Sequence, residues 1–291
     1  MKIIVIGKSG QLAWELQQLS SPKHEVVCLG RDDIDLQNVA SIKSSFSLYK
    51  ASGVINACAY TAVDNAESDS DSAYALNAQA VGNLAQVCKE LTLPFVHVST
   101  DFVFYGDKGA PYLPDDEINP LGVYGASKAK GEQLITEFYP EQSTIIRTSW
   151  VYSTHGNNFV KTMLNLMKTK PELGVISDQI GSPTYAKGLA QACMSSLENN
   201  ITGIHHYTDT GVASWFDFAV AIQAIGLELG LLAKKIPIKP ITSAQYPTPA
   251  KRPHYSVLDK TSMAQTLPKL AFIHWQAQLH TMMTALIVEQ S

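Results

Sequence analysis

The stretch Lys2-Ile3-Ile4-Val5-Ile6-Gly7-Lys8-Ser9-Gly10-Gln11-Leu12-Ala13 decides the fold. Ile3 to Ile6 is a continuous β-branched run, the mark of a strand covered on both faces in a parallel sheet. Two glycines follow, and then Trp14, Leu16 and Leu19 suggest an amphipathic helix. Glycines at such a turn let the backbone approach a pyrophosphate, and the helix N-terminus behind them supplies N–H groups and positive potential. The spacing is Gly-x-x-Gly-x-x-Ala rather than Gly-x-Gly-x-x-Gly, but Ala13 keeps the third position small enough for close helix packing. Gly7 and Gly10 are therefore candidate cofactor residues.

Working outward, Val26 to Leu29 reads as a second strand ending at Gly30-Arg31-Asp32-Asp33. An acid at this strand end grips the ribose hydroxyls of NAD, whereas an arginine accommodates the 2′-phosphate of NADP. Arg31, one of three arginines in the chain, favours NADPH, with NADH as the alternative. Val54 to Ala59 reads as a central strand running into Tyr60-Thr61-Ala62-Val63-Asp64, where the middle of a dinucleotide should lie. Asp64, Glu67, Asp69 and Asp71 precede a long helix expected from about Ser72 to Leu91 and suit its dipole. Phe95-Val96-His97-Val98 is a further buried strand. Its His97 reads as a hydrogen-bonded core histidine, while Ser99 and Thr100 at the strand's carboxyl tip point toward the crevice where ligands bind.

A Gly- and Pro-rich loop from Phe104 to Pro120 then delivers the chain to Tyr124-Gly125-Ala126-Ser127-Lys128. Tyr124 and Lys128 are one helical turn apart and share a face. An ammonium near a phenol favours phenolate, so the tyrosine pKa is expected to fall from about 10 toward neutrality. That suits a general acid that protonates an alkoxide during hydride transfer. Among 12 tyrosines roughly one Tyr-x-x-x-Lys arises by chance, so the pair gains meaning from the strand tip at Thr100 and the glycine turn.

Ile145-Ile146 reads as the sixth strand, and the alternation of strands and helices to this point predicts an α/β fold: a doubly wound, Rossmann-like parallel sheet. Residues 1–150 are expected to form the NAD(P)-binding domain, with a return of the chain near 171–200, and 151–291 mainly a smaller interleaved substrate lobe. Within the lobe, Asn158 to Lys168 is an amphipathic helix, Gly174 to Ser177 a short strand, and Asp178 to Thr184 a turn into a helix. Ser214 caps a helix to Leu229, Pro237 to Pro253 with its five prolines is irregular, and a helix around Trp275 to Val288 closes the chain. The net charge of −4 over 291 residues gives no reason to expect nucleic acid or an anionic membrane as partner. No apolar run approaches the 18 residues of a membrane span, and the reading is cytoplasmic. Cys28, Cys58, Cys88 and Cys193 are widely spaced and read as reduced, buried thiols.

Several stretches together resemble the dTDP-4-dehydrorhamnose reductase family of extended short-chain dehydrogenase/reductases. They include Gly7-Lys8-Ser9-Gly10-Gln11, Thr61-Ala62-Val63-Asp64, Ser99-Thr100-Asp101-Phe102-Val103-Phe104 and Val123-Tyr124-Gly125 with Lys128. More specific to this branch are Arg147-Thr148-Ser149-Trp150-Val151-Tyr152 and Tyr246-Pro247-Thr248-Pro249-Ala250-Lys251-Arg252-Pro253. The resemblance implies reduction of the 4-keto group of a dTDP-4-keto-6-deoxy-L-hexose by NAD(P)H, giving dTDP-L-rhamnose. It implies Tyr124 as proton donor, Lys128 on the nicotinamide ribose and Thr100 supporting the oxygen. Thr100, Asp101 and Trp150 would contact the substrate. Gly10, Gln11, Leu12, Asp35, Leu36, Ala59, Tyr60 and Thr61 would line the cofactor. Arg252 is a candidate ligand of the substrate diphosphate, with a surface ion pair as the competing reading.

One departure concerns metal. Some members of the family dimerise through Mg²⁺ held by carboxylates on the first helix and on the helix after Gly-x-Pro-Thr. Glu15 keeps the first position, but Lys187 occupies the second, and a cation there repels Mg²⁺. No metal is expected, and the chain is read as a monomer or weak homodimer. Two other functions compete: a non-catalytic regulatory subunit on the same fold, like the β subunit of methionine adenosyltransferase, and a nucleotide-sugar epimerase or dehydratase. Retention of Thr100, Tyr124 and Lys128 argues against the first. A dehydratase typically carries Asp-Glu where this chain has Asp101-Phe102, which argues against the second.

Overall fold

In the computed structural model, which describes residues 1–290, the opening stretch forms strand β1 (Lys2–Ile6), a glycine turn and helix α1 (Gln11–Gln18). Strands β2 (Glu25–Leu29), β3 (Gly53–Asn56), β4 (Phe95–Thr100) and β5 (Ser143–Thr148) join it. A sixth strand, Gly203–His206, completes a six-stranded sheet in which every pairing is parallel. Its order is Gly203–His206, β5, β4, β3, β1, β2. The chain starts in the middle, moves outward to β2 and then crosses to β3. Strand order therefore reverses between β1 and β3, which opens a ligand crevice at their carboxyl ends.

The β-branched run of β1 works as its sequence implies, because alternate side chains feed opposite layers. Ile3 and Val5 pack with Leu12 and Leu16 of α1 and with Leu189 and Leu197 of the helix Ala186–Glu198. Ile4 and Ile6 pack on the other face with Ile42, Phe46, Leu84 and Ile135. These belong to helices α2 (Val39–Leu48), Ala80–Glu90 and Val123–Phe138. A separate core joins the helices Phe159–Thr169, Trp215–Glu228 and Trp275–Gln290 around the parallel strand pair Leu173–Ile176 and Ile238–Ile241. Ser214 caps its helix in a reciprocal box: Asp217 N–H donates to Ser214 Oγ at 3.0 Å, and Ser214 N–H donates to Asp217 Oδ2 at 2.9 Å.

Three local expectations are corrected. Ser143–Thr148 is the fifth strand in chain order, and the sixth comes from Gly203–His206, a half-polar stretch that sequence periodicity passes over. The helix expected from Ser72 begins at Ser70 and is broken by a π-helical turn at Ala75–Gln79, which turns Asn77 into the core. The proline-rich segment holds a strand, Ile238–Ile241, whose Pro240 is tolerated because the two-stranded ribbon is all edge. All four cysteines are free, two buried and two half-buried. Among the described residues, no helix is long and apolar enough to cross a membrane.

The helix Val123–Phe138 is fixed to the sheet by charge as well as packing. Arg147 on β5 and Glu132 on the helix are both buried and meet at 2.7 Å, with further bonds from Nε at 3.0 and 3.2 Å. Arg147 Nη1 also donates to the Pro114 carbonyl at 3.0 Å, and the guanidinium lies 5.0 Å from the centre of the Phe104 ring. Removing one partner leaves the other charge buried and unpaired, which costs about 3–5 kcal/mol. Arg147→Leu should therefore lose about that much stability in urea unfolding followed by circular dichroism. A loss under about 1 kcal/mol, the scale of a surface pair, would contradict it.

Candidate active site

The crevice at the carboxyl ends of the sheet has a volume of about 1280 Å³. At one end lies the glycine turn. Gly7 has φ +116°, and a Cβ there would stand 3.2 Å from the backbone of Ala57 and Cys58. A Cβ on Gly10 would meet nothing within 4 Å. Gly10 is the N-cap of α1, yet no side chain caps the helix and no acid occupies its first turn. The first N–H groups and the positive end of the helix are thus left for an anion. Gln11 and Leu12 also line the crevice. The Gln11 side chain is engaged elsewhere, donating to the Val151 carbonyl at 3.4 Å and accepting from Asn158 Nδ2 at 3.0 Å.

Along the next wall come Arg31, Asp35 and Leu36, then Ala59 and Thr61. Arg31 is exposed and makes no ion pair among the described residues. The neighbouring Asp33 is already engaged, accepting from Gly30 N–H at 2.9 Å and from Lys8 Nζ at 3.2 Å. Both bonds hold its carboxyl below the usual carboxylate range. Tyr60 is the one candidate that does not reach the crevice. Asn77 pins its backbone at 2.8 Å, and its hydroxyl turns to Asp69 at 3.3 Å.

The opposite wall carries the tips of β4 and β5 and the start of the helix Val123–Phe138. Thr100, Asp101, Tyr124 and Lys128 all line the crevice. The helix can begin here because Glu67, a distant acid, accepts from Val123 N–H at 2.9 Å. Gly125 lets it approach the β4 tip, since a Cβ would stand 2.2 Å from the Phe102 carbonyl oxygen. Tyr124 packs edge-on to Phe102 with ring centres 5.5 Å apart, and Thr100 is near enough to act on its hydroxyl.

The phenol does not have the lowered pKa that the sequence suggests. Desolvation pushes Tyr124 up to about 12 against a smaller lowering effect of Thr100. The buried Lys128 instead sends Nζ to the Val98 carbonyl at 2.7 Å and to His97 Nε2 at 3.2 Å. Burial brings Lys128 down to about 8. Asp101 accepts from Thr100 Oγ1 at 3.1 Å, and burial raises its carboxyl to about 6. Asp101 Oδ2, Ser99 Oγ and Thr148 Oγ1 are buried without hydrogen-bond partners. Three such atoms on neighbouring strand tips suit a polar ligand.

Beyond them, Trp150 lines the crevice in a left-handed backbone conformation, φ +47°. That geometry costs a non-glycine residue about 1–2 kcal/mol, and the Trp215 ring stacked on it at 3.6 Å helps to hold it. Trp215 also lines the crevice, and in the sequence it is marked only as an aromatic at a helix start. Arg252 lines the far edge, and its guanidinium is paired with Asp64 at 2.7 and 3.1 Å. This is the ion pair named by the competing reading of Arg252. Glu15, the position considered for metal, is buried and accepts from Ser153 Oγ at 2.7 Å. Among the described residues no group of three His, Cys, Asp or Glu side chains could hold a metal ion.

A doubly wound parallel sheet with a glycine turn facing a Tyr-x-x-x-Lys helix defines an extended short-chain dehydrogenase/reductase. The family model described as RmlD substrate binding domain matches residues 1–288. A dTDP-4-dehydrorhamnose reductase of Aggregatibacter actinomycetemcomitans is 41% identical over 91% of this chain and 92% of its own. The spore coat polysaccharide biosynthesis protein SpsK of Bacillus subtilis is 40% identical over 96% and 95%. The structure of a Bacillus anthracis dTDP-4-dehydrorhamnose reductase in complex with NADP superposes with a TM-score of 0.91 at 32% identity, covering 98% of this chain and 99% of that one. The chain belongs to the dTDP-4-dehydrorhamnose reductase family.

Because Gly125 sits so close to Phe102, Gly125→Ala should overpack this wall and cost about 1–3 kcal/mol. Guanidinium unfolding checks this, and an unchanged midpoint would show that the helix moves away without strain.

Proposed function

We propose that this protein reduces the 4-keto group of dTDP-4-dehydro-6-deoxy-L-mannose with NADPH to give dTDP-L-rhamnose. The observation that carries the reading is the meeting of Thr100, Tyr124 and Lys128 in one crevice between an uncapped helix N-terminus and the Trp150–Trp215 stack. The reductase relatives support the same reading over a regulatory binding subunit. The residues fit a dinucleotide. Gly7 and Gly10 admit its diphosphate beside α1, and Arg31 gives a 2′-phosphate a cation, favouring NADPH over NADH. The dinucleotide would supply the hydride.

The chain's own residues handle the proton and the charge. As hydride reaches the carbonyl carbon, negative charge gathers on oxygen, and the Tyr124 and Thr100 hydroxyls stabilise it more in the transition state than before it. Tyr124 gives its proton to that oxygen and becomes phenolate. A raised phenol pKa serves this direction, because the group is fully protonated near neutral pH and an alkoxide is a stronger base than a phenolate. The Lys128 ammonium then stabilises the phenolate and holds a ribose hydroxyl. Asp101 Oδ2 accepts from a sugar hydroxyl, and the Trp150 face packs on the sugar. Arg252 reaches the substrate diphosphate by exchanging Asp64 for phosphate. The division into a nucleotide-binding part, residues 1–150 with a return of the chain near 171–200, and a substrate lobe from 151 follows this reading. So do work in the cytoplasm and a monomer or weak homodimer.

Purified enzyme given dTDP-4-keto-rhamnose should oxidise NADPH, and Tyr124→Phe should lower kcat about 10²–10⁴-fold, the usual worth of a general acid. No turnover by folded wild type would sink the reading, and equal rates would remove Tyr124 from its role. Arg31→Ala should weaken NADPH and spare NADH; equal loss for both would place the 2′-phosphate elsewhere.

A further inference from the structure

Beneath the proposed site runs a chain of buried polar groups that the mechanism does not use. Cys58 N–H donates to Asn56 Oδ1 at 3.1 Å. A backbone N–H can only donate, so this bond fixes the orientation of the Asn56 amide. The Asn56 Nδ2 group therefore faces His97 Nδ1, at 3.0 Å, and His97 Nδ1 must accept. His97 is fully buried, and burial is the larger of the causes that keep its ring neutral. A neutral imidazole has one N–H, which then lies on Nε2. That N–H points at Lys128 Nζ, 3.2 Å away. An N–H facing an ammonium sets two donors against each other, whereas an uncharged amine offers a lone pair and can still donate to the Val98 carbonyl at 2.7 Å.

We propose that His97, held in its Nε2–H tautomer by Asn56, is a positioning residue that biases Lys128 toward the uncharged amine. The inference rests on the reading of Lys128 as the residue that stabilises the Tyr124 phenolate. Other charged and titratable groups around Lys128 are Glu132 one turn along its helix, Cys58 at the tip of β3, and Tyr124. Glu132 and Cys58 favour the ammonium, yet burial outweighs them, and Glu132 is already engaged by Arg147. Burial thus holds Lys128 at about 8, below the ordinary lysine value, so a change in its contacts shifts the balance between its charged and uncharged forms. The Asn56–His97 pair sets that balance from below.

The test uses the full-length enzyme without ligand and ¹⁵N NMR of its histidines, His97 being assigned by its loss in His97→Gln. The expected spectrum has His97 protonated on Nε2 and bare on Nδ1 at neutral pH; a protonated Nδ1 would overturn the proposal. In Asn56→Asp the carboxylate keeps the Cys58 bond but demands a proton on His97 Nδ1, turning the Nε2 lone pair toward Lys128. His97→Gln can likewise present a carbonyl oxygen. In both variants the Lys128 titration, read from its ¹³Cε shift and assigned with Lys128→Arg, should move up by about one pH unit, a tenfold change in proton affinity. The basic limb of kcat/KM should move with it. Both variants titrating with wild type would overturn the proposal, as would lower rates at every pH with an unmoved limb, the signature of a purely structural role. The NMR titrations stand whether or not the enzyme turns over the proposed sugar, so failure of the reductase reading and failure of this one are separable.

Discussion

The proposed chemistry depends on a buried ion pair that takes no part in it. Lys128 and Tyr124 lie on a helix whose N-terminus has no side-chain cap of its own and whose third residue is glycine. Left to local propensity, such a first turn frays. Glu67 supplies a cap from a distant loop, and one turn beyond Lys128 the Glu132 carboxylate is gripped by Arg147. Arg147 is itself locked between the Pro114 carbonyl and the Phe104 ring. The helix is thereby registered against β5, and β5 against β4, where Thr100 pairs with Thr148. The position of the phenol relative to the Thr100 hydroxyl follows from this bracing.

A second set of contacts crosses the crevice. Gln11 behind the glycine turn bonds Val151 and Asn158, His155 stacks on Trp14 at 4.8 Å, and Glu15 holds Ser153. On the other side Asp64, in the one-turn helix Val63–Ala66 after β3, holds Arg252 and also accepts from Ala250 N–H at 3.1 Å. Gln11, Glu15 and Asp64 thus spend side-chain hydrogen bonds on Val151, Asn158, Ser153 and Arg252, across the crevice. Glu15, buried on α1, accepts from Ser153 Oγ there.

The sheet was legible because parallel strands covered on both faces write themselves as apolar runs, as β1 to β4 largely do, while β5 shows only Ile145-Ile146 between polar residues. The Gly203–His206 strand was not, since His205 and His206 bond to Ser262 and to the Asp259 carbonyl, contacts made by a segment over fifty residues away. The crevice walls were legible where one residue type has one use: glycine at a tight turn, hydroxyls at a strand tip, tyrosine and lysine a turn apart. Trp215 and the fate of Arg252 were not, because stacking and ion pairing across lobes have no sequence period. Asp64 illustrates the difficulty, as an acid that reads as a helix-dipole partner and in the fold holds the opposite lobe.

The sharpest departure is electrostatic. Sequence spacing puts an ammonium beside a phenol and so lowers the phenol's pKa; the fold buries both, and desolvation pushes them toward their neutral forms. One turn of helix brings two side chains onto the same face but does not decide which atoms they choose. Lys128 chooses the Val98 carbonyl and His97 because those groups line the floor beneath it, where a charged amine left without partners would be costly. For a reductase this arrangement has a use. A phenol that stays protonated is ready to give its proton, and Lys128, brought down only to about 8, is still largely a cation near neutral pH and meets the phenolate as it forms. The new negative charge thus appears on Tyr124 beside a positive charge already in place, at the step where the oxygen takes the proton.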